Sequence, residues 1–329
     1  MEKQIINSNC YWLKHIQSSN GYWPKLIQSV WKSRSIYLLI LPGIIWYIIF
    51  TYYPISGLSL AFKQYRANLG IFGSPWVGLE NYVYVFRDPR FFSSIKTTLI
   101  INLSRMLFSF PFPILLSLIL NEVRVGRYKK VLQTVYTFPH FLSWVLVSGI
   151  LINFLALDGF VNNIIKVIGG ESISFLGSTD KFRPMLYISE MWKSSGWTAI
   201  IYLAAIAGID MEQYEAAEID GASRLQRILH VTLPNILSTI AVMFILACGN
   251  LMTAGFDQIF NMSNAAVKGV SETLDMYIYN ITFQASADFS FSSAVSLFKS
   301  VINLLLLLGA DKLCRIITGT GMFGLDKGE

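Results

Sequence analysis

Charge is scarce in this 329-residue chain: Asp, Glu, Lys and Arg supply 14% of it, against about 25% in an ordinary soluble domain. A globular protein of this length has more surface than so few charges can cover. With 53% apolar residues and a mean hydropathy of +0.50, the chain also lacks the polarity of a disordered or fibrous sequence. Its three cysteines, Cys10, Cys248 and Cys314, lie far apart with no CxxC, which excludes a disulfide scaffold and reads as reduced, incidental thiols. The net charge of +6 is too dilute for a nucleic-acid surface, and no long Lys/Arg run occurs. Low-complexity segments and short-period repeats are absent too. The first 35 residues contain no early apolar stretch and no small-residue cleavage site, so no removable signal peptide is expected. These absences leave an integral membrane protein.

Catalytic signatures are also missing. No GxxxxGK[ST] occurs, so the chain cannot cradle ATP phosphates by a P-loop. There is no HExxH, no cysteine–histidine cluster and no nucleophile elbow, and His15, His140 and His230 are scattered. His140, following Pro139 near the start of a span, reads as a packing or interfacial residue rather than a proton relay. The chain is expected to be no enzyme and to bind no metal or cofactor of its own.

Six apolar segments meet the roughly 20 residues a helix needs to cross the bilayer: about 36–58, 97–120, 135–157, 184–208, 237–260 and 292–313. The fourth contains the polar run SEMWKSSGW (189–197) and spans only if those residues face protein or water. Prolines 42 and 54 in the first span and 111 and 113 in the second are tolerable where neighbours re-satisfy the freed backbone groups. Six spans put both termini on one side. Fourteen Lys/Arg fall on that side, in 1–35, 121–130, 209–236 and 312–329, against nine in the longer opposite loops. The positive-inside rule therefore predicts cytoplasmic termini, with NEVRVGRYKK (121–130) the clearest marker. The cytoplasmic segment 1–35 carries Trp23, Ile27, Val30 and Trp31 on one helical face and Lys25, Gln28 and Lys32 on the other, a pattern for a helix lying in the interface. A tail with scattered tryptophans is the alternative. Residues 314–329 form a cytoplasmic tail.

One cytoplasmic loop is more than a connector. Residues 209–236 read IDMEQYEAAEIDGASRLQRILHVTLPNI. Asp210 with Gln213 resembles a capping box, Glu212 adds charge near the positive end of the helix, and Gly221 supplies a helix stop. Ser223 with Gln226 opens a second helix whose apolar face is Leu225, Ile228 and Leu229, and Pro234 breaks or bends the chain at the fifth span. Two helices with a sharp bend outside the bilayer make a projection. Ala216 and Ala217 would let another surface approach closely, and Glu215 offers a charge. An ordinary solvated hairpin has the same local signals.

Glu215-Ala216-Ala217, then Gly221, Val231 and Leu233-Pro234 at fixed spacing resemble the EAA loop, EAA-x3-G-x9-I-x-LP, of ATP-driven importer permeases, with Val231 for Ile the one departure. WVGLENY (76–82), LILNEV (118–123), PHFLSW (139–144), GFDQIF (255–260) and LFKS (297–300) further resemble the LplB-type branch of MalF-like sugar permeases, over about 35–322. The resemblance implies an all-α type I (MetI-like) permease of six spans in the bacterial cytoplasmic membrane. It implies that the loop is a coupling helix docking into a cleft on a cytoplasmic ATPase: Glu215 the polar contact, Ala216 and Ala217 the close-packing positions, Gly221 the bend, with Leu233 and Pro234 completing the motif. The implied partners are a second, related permease, two ABC ATPase subunits that hold the ATP and Mg, and an extracellular or periplasmic solute-binding protein. The implied cargo is an oligosaccharide, including those derived from acidic polysaccharides, moved by alternating access. A permease for peptides or another polar solute shares this architecture. An ion-coupled secondary carrier would need no ATPase and would show paired broken helices or internal repeats.

Five charges fall within or at the edge of the spans: Arg105, Glu190, Lys193, Asp257 and Lys299. Charges there usually face a bundle interior or a wet cavity. In the expected orientation all five lie in the outer half, Arg105, Glu190, Lys193 and Lys299 roughly 9–14 Å deep at about 1.5 Å per residue. That one-sidedness suits a vestibule open to the outside. Trp192 and Trp197 offer flat faces for sugar rings, and Asn250 and Gln258 neutral hydrogen-bonding groups. Trp192, Lys193, Asp257 and Lys299 are thus expected along the solute path. The alternative for each is helix packing, and Glu190 and Lys193, three apart, could pair with each other. Three cations against two anions lean slightly toward an anionic solute.

Overall fold

The computed structural model describes residues 33–123, 126–284, 287–319 and 321–322. The amphipathic N-terminal segment 23–32 and the last residues of the C-terminal tail lie outside them. The described chain is helical apart from its connections, with a single antiparallel bridge between Lys63 and Trp76. It divides into two units at Ser59 and Leu60.

The first unit contains helix α1 (Arg34–Tyr47), apolar on every face as a membrane helix should be. It widens into a π turn at Ile48–Tyr52 before Pro54. The N–H of Tyr53 reaches back five residues to Ile48 O. A proline has no N–H and its ring crowds the carbonyl four residues back, so a wider turn lets the helix continue past it.

The second unit holds α2 (Pro89–Phe108) and α3 (Pro111–Glu122), which share one apolar stretch, then α4 (Arg127–Thr137), α5 (Trp144–Leu155) and α6 (Thr179–Ala207). After these come α7 (Met211–Ile219), α8 (Leu237–Gly249), α9 (Phe256–Met262) and α10 (Phe289–Thr318). Four helical stretches, Arg34–Phe62, Pro89–Glu122, Trp144–Val167 and Phe289–Ile316, are long and apolar enough to cross a membrane. Two bent pairs, α6 with α7 at 73° and Arg224–Asn235 with α8 at 60°, bring the number to six where each pair counts as one span.

Packing follows the small residues. Ala199 of α6 meets Leu116 and Leu120 of α3, and Ala241, Ile245 and Cys248 of α8 meet Ala310 and Cys314 of α10. Gly196 sits so close to the end of α4 that a Cβ there would come within 1.9 Å of Tyr136 O, so α6 tolerates no side chain at that point. Near the start of α2, Asp88 caps the helix and also accepts a 2.6 Å hydrogen bond from Tyr277. Burial and that bond hold the Tyr277 hydroxyl well above the ordinary tyrosine range.

Candidate functional site

The loop between α6 and α8 is built from its caps outward. Asp210 accepts from the Glu212 N–H at 3.0 Å. Gln213 does not close a capping box with it; its Oε1 instead accepts from Asn235 Nδ2 at 2.8 Å and ties the two ends of the loop. Gly221, at φ +75°, ends α7 with N–H bonds from Gly221 to Glu218 O and from Ala222 to Ala217 O, the paired bonds of a left-handed stop. Ser223 and Gln226 then form the complete reciprocal box, and helix Arg224–Arg227 widens into a π turn at Ile228–Thr232. Leu233 N–H reaches back to Ile228 O just before Pro234, the same device as at Pro54.

Its base is apolar and its tip is bare. Ile209, Ile228 and Leu233 pack around Leu118, Ile206 and the fully buried Ile236. Tyr214 and Thr232 hydroxyls meet at 2.9 Å across the arms. Arg227 and Glu218 pair at 3.2 Å on the surface, where such pairs contribute little. Glu215 and Ala216 are exposed and Ala217 is half-buried. Ile219 is 85% exposed, and Met211, Leu225 and Leu229 are exposed with it. The loop is a bent pair of helices packed at its base and exposing apolar residues at its tip.

The fifth apolar segment is interrupted. Residues 250–255 join α8 to α9 without helical structure, and non-helical backbone at membrane depth persists only where protein or a water-lined cavity satisfies it. Asn102 Nδ2 donates to Leu251 O at 2.6 Å and to Thr253 O at 3.2 Å. Arg105 donates through Nη1 to Ala254 O at 2.7 Å and through Nη2 to Gln258 Oε1. Gln258, fully buried, donates in turn to Leu186 O and Ser189 Oγ. From the other side, Asn303 Oδ1 accepts the Met252 N–H at 3.0 Å. Asp275 accepts the Ala254 N–H at 3.3 Å and pairs with Lys299. Arg105, Gln258 and Lys299 thus pin the interruption.

Two of the other expected path residues, Lys193 and Trp197, meet at His140. Lys193 is buried, with Nζ donating to His140 O at 2.9 Å and lying 5.3 Å from the Trp144 ring centroid, a cation–π position. It does not pair with Glu190, which accepts from Ser194 Oγ at 2.7 Å. Trp192 and Trp197 are exposed, and Trp197 stacks on His140 at 4.7 Å. Asp257 is exposed in the first turn of α9.

A cavity of about 330 Å³ does gather two of the charges. Its wall runs from the α2–α3 junction to α6 and α8 and includes Arg105, Ser109, Glu190, Tyr202 and Asn250. Ser109 and Tyr202 escape a search for intramembrane charge because they are neutral. The usable signal is a tyrosine within an apolar run, whose hydroxyl needs a partner once buried.

Residues 97–315 match a family model described as binding-protein-dependent transport system inner membrane component. The chain is 42% identical over 293 residues to the protein LplB of Bacillus subtilis (strain 168), covering 89% of this chain and 92% of that one. It is 41% identical to the polygalacturonan/rhamnogalacturonan transport system permease protein YteP of the same organism, over 89% and 91%. Among solved structures, a bacterial ABC transporter involved in the import of the acidic polysaccharide alginate matches with a TM-score of 0.81 and 37% identity, covering 89% of this chain and 99% of that one. The bacterial alginate ABC transporter in complex with alginate pentasaccharide-bound periplasmic protein matches equally, over 91% and 100%.

Proposed function

The chain belongs to the family of binding-protein-dependent transport system inner membrane components, and we propose that within it the protein imports oligosaccharides by alternating access. It is an all-α, multi-pass permease subunit of an ABC importer, of the type I (MetI-like) fold, in the bacterial cytoplasmic membrane. Its cargo is an oligosaccharide of the kind released from acidic polysaccharides. The matches to a polygalacturonan/rhamnogalacturonan permease and to an alginate importer support that reading. A solute-binding protein delivers the cargo at the outer face. A second, related permease completes the pore, and two ATPase subunits, which hold the ATP and Mg, lie on the cytoplasmic side. In that assembly Asn250, Arg105 and Glu190 face the solute path, and the exposed Trp192, Trp197 and Asp257 extend it toward the second permease. Lys193, Gln258 and Lys299 hold its wall.

Coupling runs through residues 209–236. ATP-driven closure of the ATPase pair pushes on the bent helices, and hydrolysis resets them, so that the two global states are populated in turn. One observation carries the reading: the tip bearing Glu215, Ala216 and Ile219 is bare while its base is packed on the spans. A bulky residue at Ala216 or Ala217 blocks close approach without disturbing that base. With Ala217→Trp, the ATPase subunits should no longer co-purify with the permease pair. Full ATPase retention and stimulation in Ala216→Trp and Ala217→Trp complexes would remove the coupling assignment.

A further inference from the structure

Helix α4 is held to the bundle on one side only. Leu132 packs with Leu116 and Leu120 of α3 and Ala199 of α6, and the end of the helix is fixed where Tyr136 O lies against Gly196. The opposite side is bare. Tyr128, Val131 and Val135 are 69%, 58% and 61% exposed, and Phe138, in the turn that follows, is exposed with them. Arg127 and Lys130 are exposed at the start of the same helix. Neither makes an ion pair among the described residues, and α4 contains no acidic residue. By contrast, Arg227 and Arg315 each have a carboxylate partner.

The order of these residues along the helix selects a ligand chemistry. Arg127, Val131 and Val135 follow one another at i, i+4 and i+8, a single row on the helix surface. Lys130 stands beside Arg127 at i+3, near enough for both cations to meet one phosphate. Charge is thus confined to one end of the row. With 11 residues at about 1.5 Å each, α4 is roughly 16 Å long, half of a hydrocarbon core about 30 Å thick. A cationic end followed by an apolar strip one leaflet long complements an anionic phospholipid. The positive-inside rule puts 121–130 at the cytoplasmic surface, the level of the headgroups, where a tyrosine such as Tyr128 is also at home. A zwitterionic lipid would fit the strip equally but offers the two cations no net charge.

We propose that α4 holds one anionic phospholipid, its phosphate between Arg127 and Lys130 and an acyl chain along Val131, Val135 and Phe138. The lipid covers the side of α4 that the bundle leaves open and answers the two cations that no carboxylate meets. This assignment is independent of the solute carried and of the coupling loop.

The test uses the full complex in nanodiscs made of equal parts phosphatidylglycerol and phosphatidylcholine with the same acyl chains. The photoreactive residue p-benzoylphenylalanine replaces Val135, and adducts on the chain are read by mass spectrometry after illumination. Each cation near a charged membrane surface is worth about five-fold in binding, so phosphatidylglycerol adducts should outnumber phosphatidylcholine adducts at least ten-fold. Arg127→Gln with Lys130→Gln should cut that ratio to under three-fold. Arg127→Lys, which keeps the charge, should hold it at five-fold or more, and Lys268→Gln, at an exposed cation away from this strip, should leave it unchanged. Equal labelling of the two lipids would reduce the strip to ordinary bilayer contact and overturn the site. An adduct with the second permease in place of lipid would make this face a subunit interface, and the absence of any lipid adduct would equally end the proposal.

Discussion

Two interruptions of apolar helix lie within about thirty residues of each other and are built on opposite plans. At 250–255 the backbone leaves the helix inside the span region, and side chains from α2, α10 and Asp275 meet the freed groups. At 228–236 the chain turns through a π segment and a 60° bend, which form the packed base of a loop whose tip, at 215–219, is bare. Both are polar departures from an apolar pattern. The difference lies in where the polar groups find their partners. Inward satisfaction makes a fixed joint, whereas outward exposure leaves the surface that the proposed coupling assigns to another subunit.

The comparison is most severely tested where it relies on a charge. Lys299→Met leaves Asp275 mostly buried with only the Ala254 N–H to answer it, and should cost about 3–5 kcal/mol. Replacing both partners, Lys299→Met with Asp275→Leu, should recover at least half of that, since no uncompensated charge remains. Thermal unfolding of the assembled complex, followed by tryptophan fluorescence, measures both. Equal and negligible effects of the single and double changes would mean the joint is not held by this pair.

Asn102→Leu comes next. It removes the donor shared by Leu251 O and Thr253 O and should cost about 2–4 kcal/mol. Hydrogen exchange localises it: amides of 250–255 should exchange faster while those of 211–219 do not change. A smaller effect belongs to the outward loop. Ser223→Ala breaks the reciprocal box with Gln226 and should cost about 1 kcal/mol, with faster exchange confined to 224–228.

The loop was more legible than the joint, and the reason is range. Gly221, Ser223 with Gln226, and Pro234 each act within a few residues, so their consequences can be read from neighbours. Gln213 shows the limit even there: a partner 22 residues away outcompeted the local box. At the joint every decisive contact is distant, as with Asn102 and Leu251, 149 residues apart. The stretch 237–260 looks like one uninterrupted span because its few strongly polar residues, Asn250, Asp257 and Gln258, are set in an otherwise apolar run. The intramembrane charges were visible as a set, yet their pairing was not. Asp275 lies outside the spans and gave no reason to be matched with Lys299, and Ser109 and Tyr202 carried no charge to notice.

The smallest expected change in stability carries the sharpest functional consequence. Glu215 is exposed on α7, and its side chain makes no hydrogen bond or ion pair among the described residues, so Glu215→Gln should shift the unfolding free energy by less than about 0.5 kcal/mol. Under the coupling assignment, the same change removes the charge offered to the ATPase. Stimulation of ATP hydrolysis by saccharide-loaded binding protein should fall by about ten-fold or more, while the permease pair unfolds at its usual temperature. The joint gives the inverse pattern, because its polar groups act on the fold and reach transport only through it. If Glu215→Gln destabilised the chain as Asn102→Leu does, the loop would be a second internal joint. If it changed neither stability nor stimulation, its exposed face would not be where the ATPase docks.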